Sequence, residues 1–411
     1  MKRAVQKVVA AGGILAVLAG SSPATGAEAL PSQADMWRII QQQNRQIEAL
    51  TRNQKVTDER LEATGDAVEE VRRGDAGGAS SDTKIGGYGE LHYNGGKKSG
   101  DDELDFHRFV LFVNHEFTDS IRFYSELEVE HALAGEGQPG EVELEQAFLE
   151  FDLNRNNQVK TGLFLVPVGI LNEIHEPPTF FGVERNPVEK NIIPTTWWEG
   201  GVSFVNRHDS GFTTEVALHS GLKVDDPTTV GGNPFLIRGG RQKVAKADAD
   251  NLAATARVKY TGIPGVEVAG SAQYQQDITQ SNFSEEISAT LFEVHADVRK
   301  GPWGLRALFA QWDLAGAAPA ALGRDRQAGW YVEPAYYCET ACGEMGFFAR
   351  YNVYDNNAGN STDTESAQVD IGVNFWPHEN VVLKADLQVN RDPGAMPEDD
   401  KIANLGVGLM F

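Results

Sequence analysis

The stretch Phe109-Val110-Leu111-Phe112-Val113-Asn114-His115-Glu116-Phe117-Thr118-Asp119-Ser120-Ile121-Arg122-Phe123-Tyr124-Ser125-Glu126-Leu127-Glu128-Val129-Glu130 decides the fold. Apolar side chains return at every second position at Phe109, Leu111 and Val113, and the pattern resumes through Ile121, Phe123, Leu127 and Val129 with Arg122, Glu126 and Glu128 in intervening places. Successive side chains of a pleated strand point to opposite sides, so a period of two marks strands with distinct faces. Only 118 and 119 separate the two runs, which makes them a hairpin.

Outward from this hairpin the same period recurs. Strands are expected near 84–93, 105–117, 120–131, 143–153, 157–166, 200–206, 211–219 and 251–261. Eight more are expected near 265–276, 287–299, 303–313, 328–337, 345–354, 367–376, 380–390 and 402–411, an even total of sixteen. Their connections alternate between long (94–104, 132–142, 167–199, 220–250) and short (118–119, 154–156, 207–210, 262–264). Tight turns on one side and long loops on the other are the habit of an outer-membrane β-barrel, whose closure pairs every backbone polar group in the bilayer. A soluble sandwich or propeller needs no such asymmetry. The chain ends in Leu405, Val407, Leu409 and Phe411, and a terminal aromatic after alternating apolar residues resembles the signal read by the barrel assembly machinery.

The 411 residues carry 36 Lys and Arg against 59 Asp and Glu, a formal charge of −23, with the bases scattered, so nucleic acid is excluded as a partner. No apolar run reaches the roughly 18 residues of a membrane helix, which excludes a helical membrane protein but leaves a barrel open. Residues 1–29 combine a basic start (Lys2, Arg3, Lys7), the apolar run 8–18 and small residues to Ala29, the layout of a signal peptide; an N-terminal anchor is the alternative. Within 30–73, Ile40, Ile47, Leu61 and Val68 share one heptad position and Met36, Leu50 and Val71 its companion, which predicts a coiled-coil stalk. Successive Ile at the first position favour three strands, although Gln43, Gln54, Thr57 and Thr64 weaken the seam, and an amphipathic helix on the barrel mouth is the alternative. Residues 74–83 read as a flexible linker and 84–411 as the barrel. Cys338 and Cys342 are expected to lie in a short connection and pair as a local disulfide in an oxidising compartment; the spacing lacks the features of a metal or redox pair. No metal or other cofactor is expected.

With the apolar set facing lipid, the opposite parity lines the lumen. Arg108, Arg122, Tyr124, Glu126, Glu128 and Lys160 are expected on that wall, with Arg108, Arg122 and Lys160 as a possible local basic strip. The third long connection, 167–199, holds Glu173, His175, Glu176, Glu184, Arg185, Glu189 and Lys190; it is too polar for a strand and suits a loop folded into the barrel to constrict it. His175-Glu176 is not the start of a metalloprotease helix, since Thr179 stands where a second His is needed and Pro177 and Pro178 break a helix. Trp197 and Trp198 read as interfacial anchors or loop packing, with sugar stacking as the sharper alternative. Nothing resembles a catalytic set, so no enzyme is expected.

The chain resembles the bacterial outer-membrane porins of the phosphate-selective O and P type. The resemblance rests on Gly87-Tyr88-Gly89-Glu90-Leu91, Glu145-Gln146-Ala147-Phe148-Leu149, His175-Glu176-Pro177-Pro178-Thr179-Phe180-Phe181-Gly182-Val183-Glu184-Arg185-Asn186 and Ile193-Pro194-Thr195-Thr196-Trp197-Trp198-Glu199, with Met36-Trp37-Arg38 opening the stalk. It implies a sixteen-stranded barrel, usually a homotrimer in outer-membrane lipid, with the third loop as constriction. Phosphate-selective members carry a strongly basic constriction, whereas this loop holds Glu173, Glu176, Glu184, Glu189 and Glu199 against Arg185 and Lys190. The expectation is therefore a weakly cation-preferring or unselective pore for small hydrophilic solutes or ions, its stalk on the periplasmic side. The alternatives are an anion-selective pore and a structural barrel that holds a partner protein or tethers the envelope.

Overall fold

The computed structural model describes residues 82–96, 102–224, 234–391 and 401–411. The expected signal peptide and stalk lie outside the described residues, as does the linker up to Ser81. Among the described residues there are sixteen strands: β1 (Thr83–Gly95), β2 (Glu103–Thr118), β3 (Ile121–Glu130), β4 (Val142–Asp152), β5 (Asn157–Leu165), β6 (Trp198–Arg207), β7 (Phe212–His219) and β8 (Ala253–Ile263). The series continues with β9 (Val266–Gln275), β10 (Ala289–Lys300), β11 (Trp303–Leu314), β12 (Arg326–Thr340), β13 (Gly343–Asp355), β14 (Ser366–His378), β15 (Val381–Arg391) and β16 (Lys401–Met410). Each strand pairs antiparallel with its sequence neighbours, and β16 closes on β1, giving one closed barrel.

Closure leaves no open edge, and its seam explains two sequence features. Phe411 exchanges backbone hydrogen bonds with Gly87, N to O at 2.9 Å and O to N at 3.0 Å, and its ring lies 6.1 Å from that of Phe109. A Cβ on Gly87 would meet the Val110 carbonyl oxygen at 2.2 Å, so the seam demands glycine there.

The outer surface is apolar along alternate positions: Phe109, Leu127, Val202, Val216, Val258, Val294, Ile371, Leu387 and Leu405 are all exposed. Aromatic side chains gather where the strands meet the short turns, with Phe212 and Tyr260 4.7 Å apart and Trp303 and Tyr336 4.9 Å apart. Such belts sit at the membrane–water boundary, where a ring can be half apolar and half wet.

The disulfide expectation is corrected: Cys338 and Cys342 are free thiols. Cys338 belongs to β12, which runs three residues beyond its expected end, and its cross-strand partner is Met345; Cys342 falls in the turn and is not opposite it.

Inside the barrel the alternation rule breaks along one side. Leu291, Leu308, Ala310, Trp312, Leu314 and Tyr331 of β10–β12 point inward and are buried. They pack against Val166, Val168, Ile170, Val188, Ile192, Ile193 and Trp197 of the third long loop and against Leu222, Val224, Phe235 and Ile237 of the fourth. These two loops therefore carry an apolar core into a lumen that would otherwise be wet, and burial at roughly 25 cal/mol per Å² holds them there.

Candidate functional site: the lumen and its constriction

The third loop (residues 166–197) is fastened to the wall along its length. Asn172 donates to the carbonyls of Val166 (2.8 Å) and Trp197 (2.9 Å), and accepts from the Trp197 N–H, tying the two ends of the loop together. Glu173 pairs with Arg257 and lies 3.6 Å from Lys259; those cations overcome burial and hold its carboxyl down at about 2. His175 Nε2 sits 3.3 Å from Glu126 and 3.6 Å from Glu145. Burial works to lower the His175 pKa, but the two carboxylates prevail and lift it to about 10, so the ring is an imidazolium at neutral pH.

Further along, wall cations grip the loop backbone. Arg306 donates to Thr179 O at 2.9 Å, Arg350 to Phe181 O at 3.1 Å and Lys384 to Gly182 O at 2.8 Å, while Asp386 accepts from the Val183 N–H at 2.7 Å. Lys384 also lies 3.5 Å from the Phe180 ring centroid. Inward bases of β11, β13 and β15 are thus consumed in holding a loop.

Glu189 differs from its expected place at the constriction. It is fully buried, accepting from Ile170 N (2.7 Å), Leu171 N (2.6 Å) and the Tyr331 hydroxyl (2.8 Å), and so organises the loop from within. Its neighbourhood forms because Pro187 starts a single helical turn, Val188–Asn191, whose Asn186 accepts from Glu189 N at 2.8 Å. Glu176 is half-buried beside a short turn of 3-10 helix, Pro177–Thr179, and stands outside the lining of the lumen cavities that Glu184 borders.

Glu184, Arg185 and Lys190 do line both cavities, which are contiguous through them and His107. The narrower cavity, about 170 Å³, runs between the β1–β4 wall and the third and fourth loops. Its charged lining is balanced, with six acids, among them Glu90, Glu128, Glu143 and Glu184, and six bases, among them Arg108, Arg185, Arg238 and Lys243. The wider cavity, about 550 Å³, opens toward the long-loop end past Asp105, His107 and His131. Glu184 accepts from Asn94 at 3.1 Å and lies 3.2 Å from His92, which holds its carboxyl down at about 2 against burial.

The expected basic strip is neutralised. Arg108 pairs with Glu90 at 2.7 Å and Glu128 at 3.5 Å, Arg122 with Glu150 at 2.9 Å and Asp152 at 2.6 Å, and Lys160 with Glu215 at 3.4 Å. Tyr124 stacks on Phe148 with ring centroids 5.3 Å apart, and Glu126 is engaged by His175, by Tyr88 at 3.3 Å and by Gln146 at 2.7 Å. Trp197 is buried in the loop core with its indole N–H on Glu199 at 2.9 Å, whereas Trp198 borders the narrower cavity.

Sequence reasoning missed the fourth loop, which has no period to read. Arg238 donates to the carbonyls of Lys190 (2.9 Å) and Thr195 (2.7 Å), and Lys243 pairs with Glu141 at 2.8 Å and with Glu143. Burial, with Arg241 and Arg185 nearby, depresses Arg238 to about 9. Buried Nε and Nη2 of Arg185 and Nε of Arg241 have no hydrogen-bond partner among the described residues. The contact of His92 with Glu184 was also unread, because it joins the first strand to a loop far away in sequence.

A closed sixteen-stranded barrel with an apolar belt, an aromatic rim and an inward third loop is the architecture of an outer-membrane porin, a channel. The chain belongs to the phosphate-selective porin O and P family, whose model matches residues 200–404. An uncharacterized protein of Aquifex aeolicus (strain VF5) is 30% identical over 353 residues, covering 80% of this chain and 79% of that one. Among solved structures, the anion-selective porin of Comamonas acidovorans has a TM-score of 0.54 at 14% identity over 80% of this chain and 99% of that one. OmpF of Salmonella typhi in complex with daunomycin scores 0.55 at 13% identity, covering 80% and 98%. The outer membrane channel DcaP of Acinetobacter baumannii scores 0.53 at 14% identity, covering 80% and 97%. These likenesses show the fold, and the porin family together with the closed β-barrel points to the bacterial outer membrane.

Proposed function

We propose that this porin is a passive diffusion pore for small hydrophilic solutes and ions, with weak charge preference set where the third and fourth loops face the β1–β4 wall. The observation that carries the reading is the balance of acids and bases around the narrower cavity, with the wall bases Arg108, Arg122 and Lys160 all ion-paired. Five of the six acids line the wall and five of the six bases the loops, so a solute crosses a transverse field rather than a ladder of one sign. Glu184, Arg185 and Lys190 carry the loop's share of this field, and Glu173, His175 and Glu189 hold the loop in place.

A second reading, an anion-preferring pore, draws on the unpartnered nitrogens of Arg185 and Arg241 and on the family's name. Reversal potential in a planar bilayer under a potassium chloride gradient separates them. A value near zero with no phosphate block supports the mixed pore; strong anion preference with phosphate block supports the second. A non-conducting barrel would instead favour a structural role.

The mature assembly is proposed as a homotrimer, in line with the trimer form of OmpT from Vibrio cholerae, which scores 0.52 at 11% identity. Residues 1–29 would direct export, and Phe411 would serve the barrel assembly machinery. Residues 30–73 would form a periplasmic coiled coil; β1 starts at the short-turn end of the barrel, opposite the long loops, which suits that side. Crosslinking the purified protein with and without residues 30–73 tests whether the stalk contributes to the trimer.

A further inference from the structure

Asp105, His107 and His131 each offer one ligand atom within 4.8 Å of the others, at the long-loop mouth of the lumen. His131 Nδ1 is 2.8 Å from Asp105, and His107 Nδ1 is 3.1 Å from it. Tetrahedral ligands at about 2.1 Å from an ion stand roughly 3.4 Å apart, so a metal could replace the shared protons with side-chain movements on the order of an ångström. We propose that these three residues form a reversible binding site for a divalent transition-metal ion of the Zn²⁺ class, and that its occupancy alters ion passage through the pore.

Two local irregularities build the cluster. The β1–β2 register shifts between Glu90, which faces Arg108, and His92, which faces Asp105, so Phe106 and His107 together oppose the single residue Leu91. This bulge lets His107 and Arg108, adjacent in sequence, both line the narrower cavity, although strict alternation would turn one of them to lipid. His131 then leaves β3 at φ 57°, a left-handed conformation uncommon for a residue with a side chain, while its N–H donates to His107 O at 2.9 Å. That turn brings its ring back over Asp105.

The surroundings support ligation. His92 stacks on His107 with centroids 4.6 Å apart and planes 15° apart, which fixes the ring's plane. Two imidazoles and one carboxylate suit zinc, nickel or copper rather than magnesium or calcium, which prefer oxygen alone. Three protein ligands leave a coordination position open, and the cavity of about 550 Å³ beside it admits water or solute, as a reversible site needs. The second cluster of this kind, Glu126, Glu145 and His175, is wholly buried and serves as the ion-paired anchor of the third loop.

The test titrates ZnCl₂, and separately MgCl₂, into the untagged full-length protein, stripped with EDTA and held in detergent, by calorimetry. Expected are one Zn²⁺ per chain, no comparable Mg²⁺ binding, a loss of more than about tenfold in affinity for each of His107→Gln, His131→Gln and Asp105→Asn, and little change for His175→Gln. Each variant is first checked for the heat-modifiable gel shift of a folded barrel, so loss of binding is read on folded protein. Absence of Zn²⁺ binding, equal Mg²⁺ binding, or unchanged affinity in His107→Gln/His131→Gln overturns the site. Coupling to passage rests on the porin reading and is measured in bilayers: Zn²⁺ added on the long-loop side should lower wild-type potassium conductance and leave the double variant unaffected. Binding without any conductance change overturns the coupling alone, and a barrel that never conducts overturns the porin reading while the calorimetry still decides the site.

Discussion

At the scale of single residues, His175 and Glu189 do the opposite of what their places in a polar loop suggest: both face protein rather than the passage. His175 gains two carboxylates on folding, and its pKa rises from 6.5 to about 10. A raised folded value means that the stabilisation is fully present below the unfolded value of 6.5 and is lost as pH rises through about 10. Loop-related closures of single channels should therefore stay constant below about pH 6.5 and grow more frequent as pH rises from there to about 10, whereas His175→Gln should show them at all pH values without that transition. An identical pH profile in the two proteins would remove His175 as the anchor. Glu189→Ala leaves two backbone N–H groups and a tyrosine hydroxyl unpaired inside the loop, a cost on the order of 3 kcal/mol or more. It should raise conductance and channel noise, which bilayer recordings will show.

At the scale of elements, the third and fourth loops are tertiary elements in their own right, packed on β10–β12 through an apolar core. Trp312 is fully buried, and its indole N–H donates to Ile192 O at 3.0 Å. Trp312→Ala should weaken loop docking by about 3–5 kcal/mol while the barrel still closes. Limited proteolysis should then cut within 167–199 at rates the wild type resists, with the heat-modifiable shift retained. Gly87→Val acts on a different element, the β1–β16 seam, where the added side chain meets the Val110 carbonyl oxygen. This variant should lose the folded band on unheated gels, and a normally folded Gly87→Val barrel would show that the seam tolerates a side chain.

At the scale of the whole molecule, selectivity is the summed field of a lining drawn from β1–β4 and two loops. Reversing Arg238 and Lys243 to glutamate tips a balanced cavity to net negative, and the potassium over chloride permeability ratio should rise by a factor of about two or more. An unchanged reversal potential would place the selecting groups elsewhere. The sequence by itself determined the sixteen strands, the one-sided distribution of long loops and the aromatic terminus, because a period of two and turn chemistry are local properties that the bilayer enforces strand by strand. It also marked the third loop as inserted, since a polar, proline-rich segment at membrane depth can only sit in the lumen. Only the tertiary structure decided which inward charges remain available. Arg306, Arg350 and Lys384 are identical to free lumen bases when read along a strand, yet each is occupied by a loop carbonyl more than a hundred residues away. The same holds for the inward apolar side chains of β11, for the fourth loop's arginines, and for the convergence of Asp105, His107 and His131 through a bulge and a left-handed turn. Those features depend on which segments meet across a closed barrel, and no periodicity encodes that meeting.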